Sequence, residues 1–241
     1  MLLFAHRGAS AAAAENTLSA FREAAAQAAD GVELDVMVCG SGEVVVCHDE
    51  RLDRVAGLPW QVARTRWKKL RDADVGTRLG FPPERIPLLE EVFEVLPKHL
   101  SVNIELKGEG VDDRGLAQKV GDYVLGAGLA ERVIVSSFNP LLLFRLASGW
   151  PSLRRGFLID PDASFFVHAQ LLSPLVSSYS IHPHHEACSA RRVAEWHARG
   201  LVVAAWTVDD PARARALREA GVDVLITNQP GPVRRALEDP A

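Results

Sequence analysis

Along the first half of the chain, His6, Arg7, Glu33, Asp35, His48, Glu105 and Lys107 stand at or near the ends of short apolar runs. Glu33 and Asp35 are two residues apart, so on a strand they share one face, where their charges repel unless a cation lies between them. With Glu105 they form a hard-oxygen set suited to Mg²⁺ or Ca²⁺ rather than to zinc, which prefers nitrogen and sulfur. Imidazole titrates near neutral pH, so His6 and His48 can give and take the protons that cleaving a phosphate ester requires. Asp49 either orients His48 or caps a turn. Arg7 offers a planar fork of donors for a phosphoryl oxygen, or a partner for the carboxylates. Lys107 faces the same way as Glu105 and either stabilises developing negative charge or neutralises the acidic set. Trp206 offers a flat apolar wall for a substrate, or a core side chain. Singly, each residue has a structural explanation in salt bridges, capping or packing; together they point to chemistry.

They serve one site only if their strands end in one place. Nine apolar runs read as strands: 2–5, 31–38, 44–47, 101–106, 132–136, 153–158, 175–179, 201–206 and 222–226. Helical periodicity falls between most of them, at 17–29, 88–96, 114–127, 140–148, 161–170, 190–199, 211–220 and 230–237. If 44–47 is a companion of 31–38, eight βα units remain, which points to a (β/α)₈ TIM barrel rather than an open doubly wound sheet. In such a barrel the C-terminal ends of all strands meet at one mouth. The alternation breaks at 50–85, where charge clusters, Trp60, Trp67 and the turn Gly80-Phe81-Pro82-Pro83 read as a small insertion packed over one end of a single barrel domain spanning 1–241. The cluster His182-Pro183-His184-His185 lacks an element to set its spacing and does not read as a metal site.

Composition bounds the rest. A chain with 48% hydrophobic and 24% charged residues buries a large core. A net charge of −4 and the lack of a long basic run argue against nucleic-acid binding, which needs a concentrated basic face. Cys39, Cys47 and Cys188 are an odd count without CxxC spacing and read as reduced thiols of a cytoplasmic protein. No apolar stretch approaches the roughly 20 residues that cross a bilayer, and the N-terminus has no signal-peptide pattern.

At these residues the chain resembles the glycerophosphodiester phosphodiesterase family. The resemblance runs from His6-Arg7-Gly8 and Glu15-Asn16-Thr17 through Glu33-Leu34-Asp35-Val36, Cys47-His48-Asp49 and Pro87-Leu88-Leu89-Glu90-Glu91 to Asn103-Ile104-Glu105-Leu106-Lys107. Ser136-Ser137-Phe138, Trp206-Thr207-Val208, Gly221-Val222-Asp223 and Ile226-Thr227 extend it almost to the end. The individual motifs are weak patterns, and their order and spacing are specific. The resemblance implies a (β/α)₈ barrel that uses a divalent cation to hydrolyse small-molecule glycerophosphodiesters to sn-glycerol 3-phosphate and an alcohol. It places Glu33, Asp35 and Glu105 at the metal, His6 and His48 as the acid/base pair, and Arg7 and Lys107 at the phosphate. We assign His48 as acid and His6 as base, with either a substrate hydroxyl or water as nucleophile.

Three positions depart from the family's usual pattern. Asp209 stands where Asn usually follows Trp-Thr-Val, Asn228 where Asp usually follows Ile-Thr, and Ser41-Gly42 where a Thr-x-Asp-Gly turn is common. None removes a ligand or an acid/base group. Rival readings are a lysophospholipase D or a phosphatidylinositol phospholipase on the same barrel, which an apolar mouth would favour, and a phosphodiester-binding protein without turnover.

Overall fold

The apolar runs become nine strands among the described residues: β1 (Leu2–His6), β2 (Gly31–Val38), β3 (Val44–Val46), β4 (Ser101–Leu106), β5 (Val133–Ser137), β6 (Arg154–Ile159), β7 (Ser180–Pro183), β8 (Val202–Ala205) and β9 (Val224–Thr227). These come from a computed structural model that describes residues 1–108, 111–159, 176 and 179–238. β1 pairs in parallel with both β9 and β2, which closes β1, β2 and β4–β9 into a ring of eight parallel strands. β3 lies outside the ring, antiparallel to β2. The molecule is therefore a TIM barrel. β2 is buried along all 8 residues, as a parallel strand covered on both faces must be.

Helices follow the strands: α1 (Leu18–Ala26), α2 (Asp53–Ala56), α3 (Trp67–Leu70), α4 (Leu89–Val95), α5 (Leu116–Gly126), α6 (Pro140–Gly149), α7 (Ala190–His197), α8 (Pro211–Glu219) and α9 (Pro230–Glu238). The apolar sides of all of these but α2 and α3 pack on the ring; Phe21, Leu34, Ile104, Val135, Leu142 and Leu225 belong to this core. Each such side chain contributes ~1.5–3 kcal/mol on full burial. α1 starts after Thr17, whose hydroxyl accepts the Ala20 N–H, a capping contact that satisfies a free helix-end donor. α5 starts later than the predicted 114 because Arg114 and Gly115 take left-handed φ of 54° and 76°, while the Asp113 carboxylate accepts the Gly115 and Ala117 N–H groups.

Two expectations concern the same stretch. The helix at 161–170 lies outside the described residues, and so does most of the strand placed at 175–179; the strand that completes the ring is Ser180–Pro183. Its Ser180 and His182 face the barrel interior, lining a small cavity with Phe4, Asn103 and Ile226. A strand with polar residues on its inner face gives a weak hydropathy signal, which drew the reading upstream to the more apolar 175–179.

Residues 50–85 hold α2, α3 and two 3₁₀ turns, Val62–Arg64 and Thr77–Leu79. They fold around their own apolar cluster, in which Leu52, Val55, Val62, Leu70 and Val75 pack on Met37 and Val45 of β2 and β3. No helix among the described residues is long and apolar enough to cross a membrane.

Candidate active site

Register brings the acidic residues together. His6 pairs with Glu33, Glu33 with Asn103, and Asp35 with Glu105, and paired residues of parallel strands point to the same side. His6, Glu33, Asp35, Asn103 and Glu105 thus face one interior at the C-terminal ends of β1, β2 and β4. The chain leaves β1 through a tight turn in which Arg7 and Gly8 take φ of 56° and 79°. At Gly8 a Cβ would lie 2.6 Å from the Ala20 carbonyl carbon, so glycine lets the turn press against α1. That turn aims the Arg7 N–H at Glu33 Oε2, 3.0 Å away.

The Glu15-Asn16-Thr17 segment holds the site from the side. Asn16 donates its amide to Asp35 Oδ2 at 2.8 Å and accepts the Asp35 N–H at 3.3 Å. Glu15 accepts from Arg7 Nη1 at 2.9 Å, and Arg7 Nε lies 3.2 Å from Asp35 Oδ2. Lys107 Nζ sits 3.0 Å from Asp35 Oδ1 and 2.5 Å from Glu105 Oε1.

Charge is unevenly shared among the three carboxylates. Burial alone would raise Asp35, but Lys107, then Arg7, outweigh it and hold Asp35 down at about 2. Glu105 is pushed up to about 7 by burial and then by Asp35. Burial, with Asp35 and Glu105 behind it, raises Glu33 well above the carboxylate range. Glu33 Oε1 is buried and has no hydrogen-bond partner. Oxygen atoms of the three residues lie within 4.8 Å of one another, so the arrangement fits a divalent cation, which would meet the unpartnered oxygen and let all three ionise.

Both histidines flank this cluster. Burial lowers His6, with Arg7 adding to the effect, and its Nε2 lies 4.0 Å from Glu33 Oε2. Burial also lowers His48, against the pull of Asp35 and Asp49. His48 Nδ1 is 2.7 Å from Asp49 Oδ1, and Arg54 Nε donates to Asp49 Oδ2 at 2.7 Å. Arg54 then grips Glu15 with two hydrogen bonds of 2.9 and 2.7 Å, so a residue of α2 ties both His48 and Arg7 in place.

The opposite wall is neutral. Phe138, Leu158, Trp206 and Ile226 complete an open cavity of ≈ 400 Å³ with His6, Arg7, Glu33, His48, Asn103, Glu105 and Lys107. Trp206 donates its indole N–H to the His182 carbonyl at 2.8 Å and stands edge-on to Phe138, with ring centres 5.5 Å apart. All eight sequence-predicted site residues therefore converge on this mouth, with Asp35 beneath its charged wall. His182 does not: it is buried inside the barrel, bonded to Ser180 Oγ at 2.8 Å and pushed down to about 3 by burial. Gly156 makes room for it, since a Cβ there would lie 2.5 Å from His182 Nε2.

Residues 6–232 match the glycerophosphoryl diester phosphodiesterase family. This chain belongs to that family. A glycerophosphodiester phosphodiesterase of Caldanaerobacter subterraneus subsp. tengcongensis is 35% identical over 95% of this chain and 94% of the relative. Among solved structures, an Oleispira antarctica phosphodiesterase in complex with the product sn-glycerol-3-phosphate is 28% identical, with a TM-score of 0.85 over 99% of this chain and 97% of that one. A glycerophosphodiester phosphodiesterase of Thermotoga maritima is 30% identical, with a TM-score of 0.77 over 98% and 97%.

In this glycerophosphoryl diester phosphodiesterase family member, several site groups escape sequence reasoning. Asn103 is 1% exposed, faces the cavity, and has no hydrogen-bond partner for either amide atom. Its position two before Glu105 on the same strand was the available signal. Arg54 carried none, and Asn16 and Asn228 stood out only through the family pattern, because the partners of all three are reached only through the fold.

Proposed function

We propose that this chain is a divalent-cation-dependent glycerophosphodiesterase that cleaves small-molecule glycerophosphodiesters to sn-glycerol 3-phosphate and an alcohol. The observation that carries the reading is the convergence of Glu33, Asp35 and Glu105, with the Glu33 Oε1 atom left without a hydrogen-bond partner, on His6, His48, Arg7 and Lys107 at one mouth. Glu33, Asp35 and Glu105 would hold Mg²⁺ or Ca²⁺, which supplies Lewis-acid stabilisation of the phosphoryl group when bound. Arg7 and Lys107 take the phosphate oxygens, and Trp206 closes the substrate's apolar side. His6 Nε2 removes the nucleophile's proton. His48, whose other nitrogen is held by Asp49, protonates the departing alkoxide.

Segment 50–85 acts as an insertion within a single barrel domain, carrying Arg54 to the site. Cys39, Cys47 and Cys188 are buried and unpaired, which fits a reducing cytoplasm. The test is release of sn-glycerol 3-phosphate from glycerophosphocholine and glycerophosphoethanolamine with Mg²⁺ or Ca²⁺, repeated in EDTA. Cation-dependent release supports the reading, and no release with either cation overturns it.

One observation favours a lysophospholipid as a second substrate class. Phe138, which lines the cavity, is 38% exposed, and Leu141 and Phe144 just after it are 45% and 59% exposed. Comparing kcat/KM for lysophosphatidylcholine and glycerophosphocholine decides between the two classes.

A further inference from the structure

His6 has a partner on the far side of the sequence. Its Nδ1 lies 2.8 Å from the Asn228 side-chain oxygen, just past the end of β9. Ser10 donates its hydroxyl to the same oxygen at 2.8 Å. The other end of the Asn228 amide donates to Asp209 Oδ2 at 2.5 Å. Asp209 Oδ1 accepts from the Asn228 backbone N–H at 2.8 Å and from the Thr227 hydroxyl at 2.9 Å. Gln229 donates to the Asp209 carbonyl at 2.8 Å, which holds the loop itself.

These contacts have a direction. An ionised carboxylate accepts and does not donate, so only the NH₂ end of the Asn228 amide can face Asp209. The carbonyl end then faces His6. A carbonyl oxygen also only accepts, so His6 must carry its proton on Nδ1 and present a bare Nε2 lone pair toward the cavity. We propose that Asp209 is a positioning residue that fixes the tautomer of His6 through the orientation of Asn228. The consequence for turnover rests on the proposed proton-transfer role of His6; the tautomer does not depend on that role.

Exchange chemistry makes the inference testable. In Asp209→Asn, the new amide keeps its oxygen for the Thr227 and Asn228 donors and sets its NH₂ against that of Asn228. Asn228 relieves this by turning over, which presents a donor to His6 Nδ1 and drives the proton to Nε2. The reciprocal double variant D209N/N228D restores the pattern, because the carboxylate introduced at position 228 accepts both from His6 and from the amide introduced at position 209.

The experiment is ¹⁵N NMR of histidine-labelled protein without substrate at pH 8, with the His6 signals assigned by their loss in His6→Gln. The expected result is Nδ1–H in the wild type, Nε2–H in D209N, and Nδ1–H again in the double variant. In parallel, kcat should fall roughly 10²-fold in D209N, against ~10⁴-fold where an aspartate touches its histidine directly, and return to within a few-fold in the double variant. An Nε2–H wild type overturns the proposal, and this holds even if D209N does not fold. So does a folded D209N with an unchanged tautomer. If the tautomer responds as expected but His6→Ala retains full turnover, the relay stands and the catalytic role of His6 fails.

Discussion

The two walls of the barrel mouth are built on opposite principles. β1, β2 and β4 contribute Arg7, Glu33, Asp35, Glu105 and Lys107, whereas the later strands contribute Phe138, Leu158, Trp206 and Ile226. On the first wall nearly every group is held by an ion pair or a directed hydrogen bond, because a buried charge without a partner is costly. On the second, packing suffices. Changes on the charged wall should therefore strike turnover and cation binding, and changes on the neutral wall substrate affinity and stability.

The largest effect should follow loss of a carboxylate. Asp35→Ala or Glu105→Ala should bring cation-dependent turnover to background and lower cation affinity by more than the ~10–100-fold that outer-shell partners command, read by calorimetry. Glu33→Gln should do the same while leaving the cation-free protein at least as heat-stable, since a neutral amide replaces a carboxyl group whose ionisation is disfavoured by burial and by Asp35 and Glu105. Wild-type rates in these variants would erase the distinction between the walls. Next come His6→Ala and His48→Ala, each expected to lower kcat by ~10²–10⁴-fold with cation affinity unchanged. Arg54→Leu releases Asp49 and Glu15 together. A kcat loss of roughly tenfold, about 1.4 kcal/mol, is the expected outcome; an unchanged kcat would leave residues 50–85 no part in the charged wall.

The neutral wall gives the smaller effects. Trp206→Ala should raise KM roughly fivefold, about 1 kcal/mol, with kcat nearly intact. An equal loss in kcat would move Trp206 among the groups that act in the transition state. His182, buried inside the barrel below the mouth, tests whether the interior must stay uncharged. Its folded pKa of about 3 lies below that of the free side chain, so below about pH 6.5 the unfolded chain binds the extra proton. Its contribution to stability is full above that pH and drains as pH falls toward 3, by up to ~1.4 kcal/mol per pH unit. Urea denaturation at pH 7 and pH 5 should show the loss, and His182→Gln should flatten it.

The charged wall was largely legible in the sequence, and the reason is physical. A carboxylate pair in an apolar strand violates the hydropathy of its surroundings, so Glu33, Asp35 and Glu105 stood out before any fold was known. The strand ends that carry them followed from the alternation of apolar runs. What stayed hidden were uncharged partners. Asn103 lies in a strand motif that drew notice for its charged residues, and only register sets it against Glu33. Asn228 meets His6 across 222 residues, a contact no local pattern encodes. β7 was misplaced for a related reason: its polar inner face made a true strand look weak.

Ring closure between β1 and β9 has a consequence for how the molecule comes into being. β1 is made before the other strands of the ring and its partner β9 after them, so the barrel cannot shut, nor His6 meet Asn228, until the strands between them have been synthesised. Until then β1 presents an unpaired backbone edge, the feature that lets one chain pair with another. Contacts this distant in sequence also form slowly, because the entropy of closing the loop must be overcome before they return anything. The charged mouth and the stable fold are thus completed by one late event, and a chain halted before β9 would lack both.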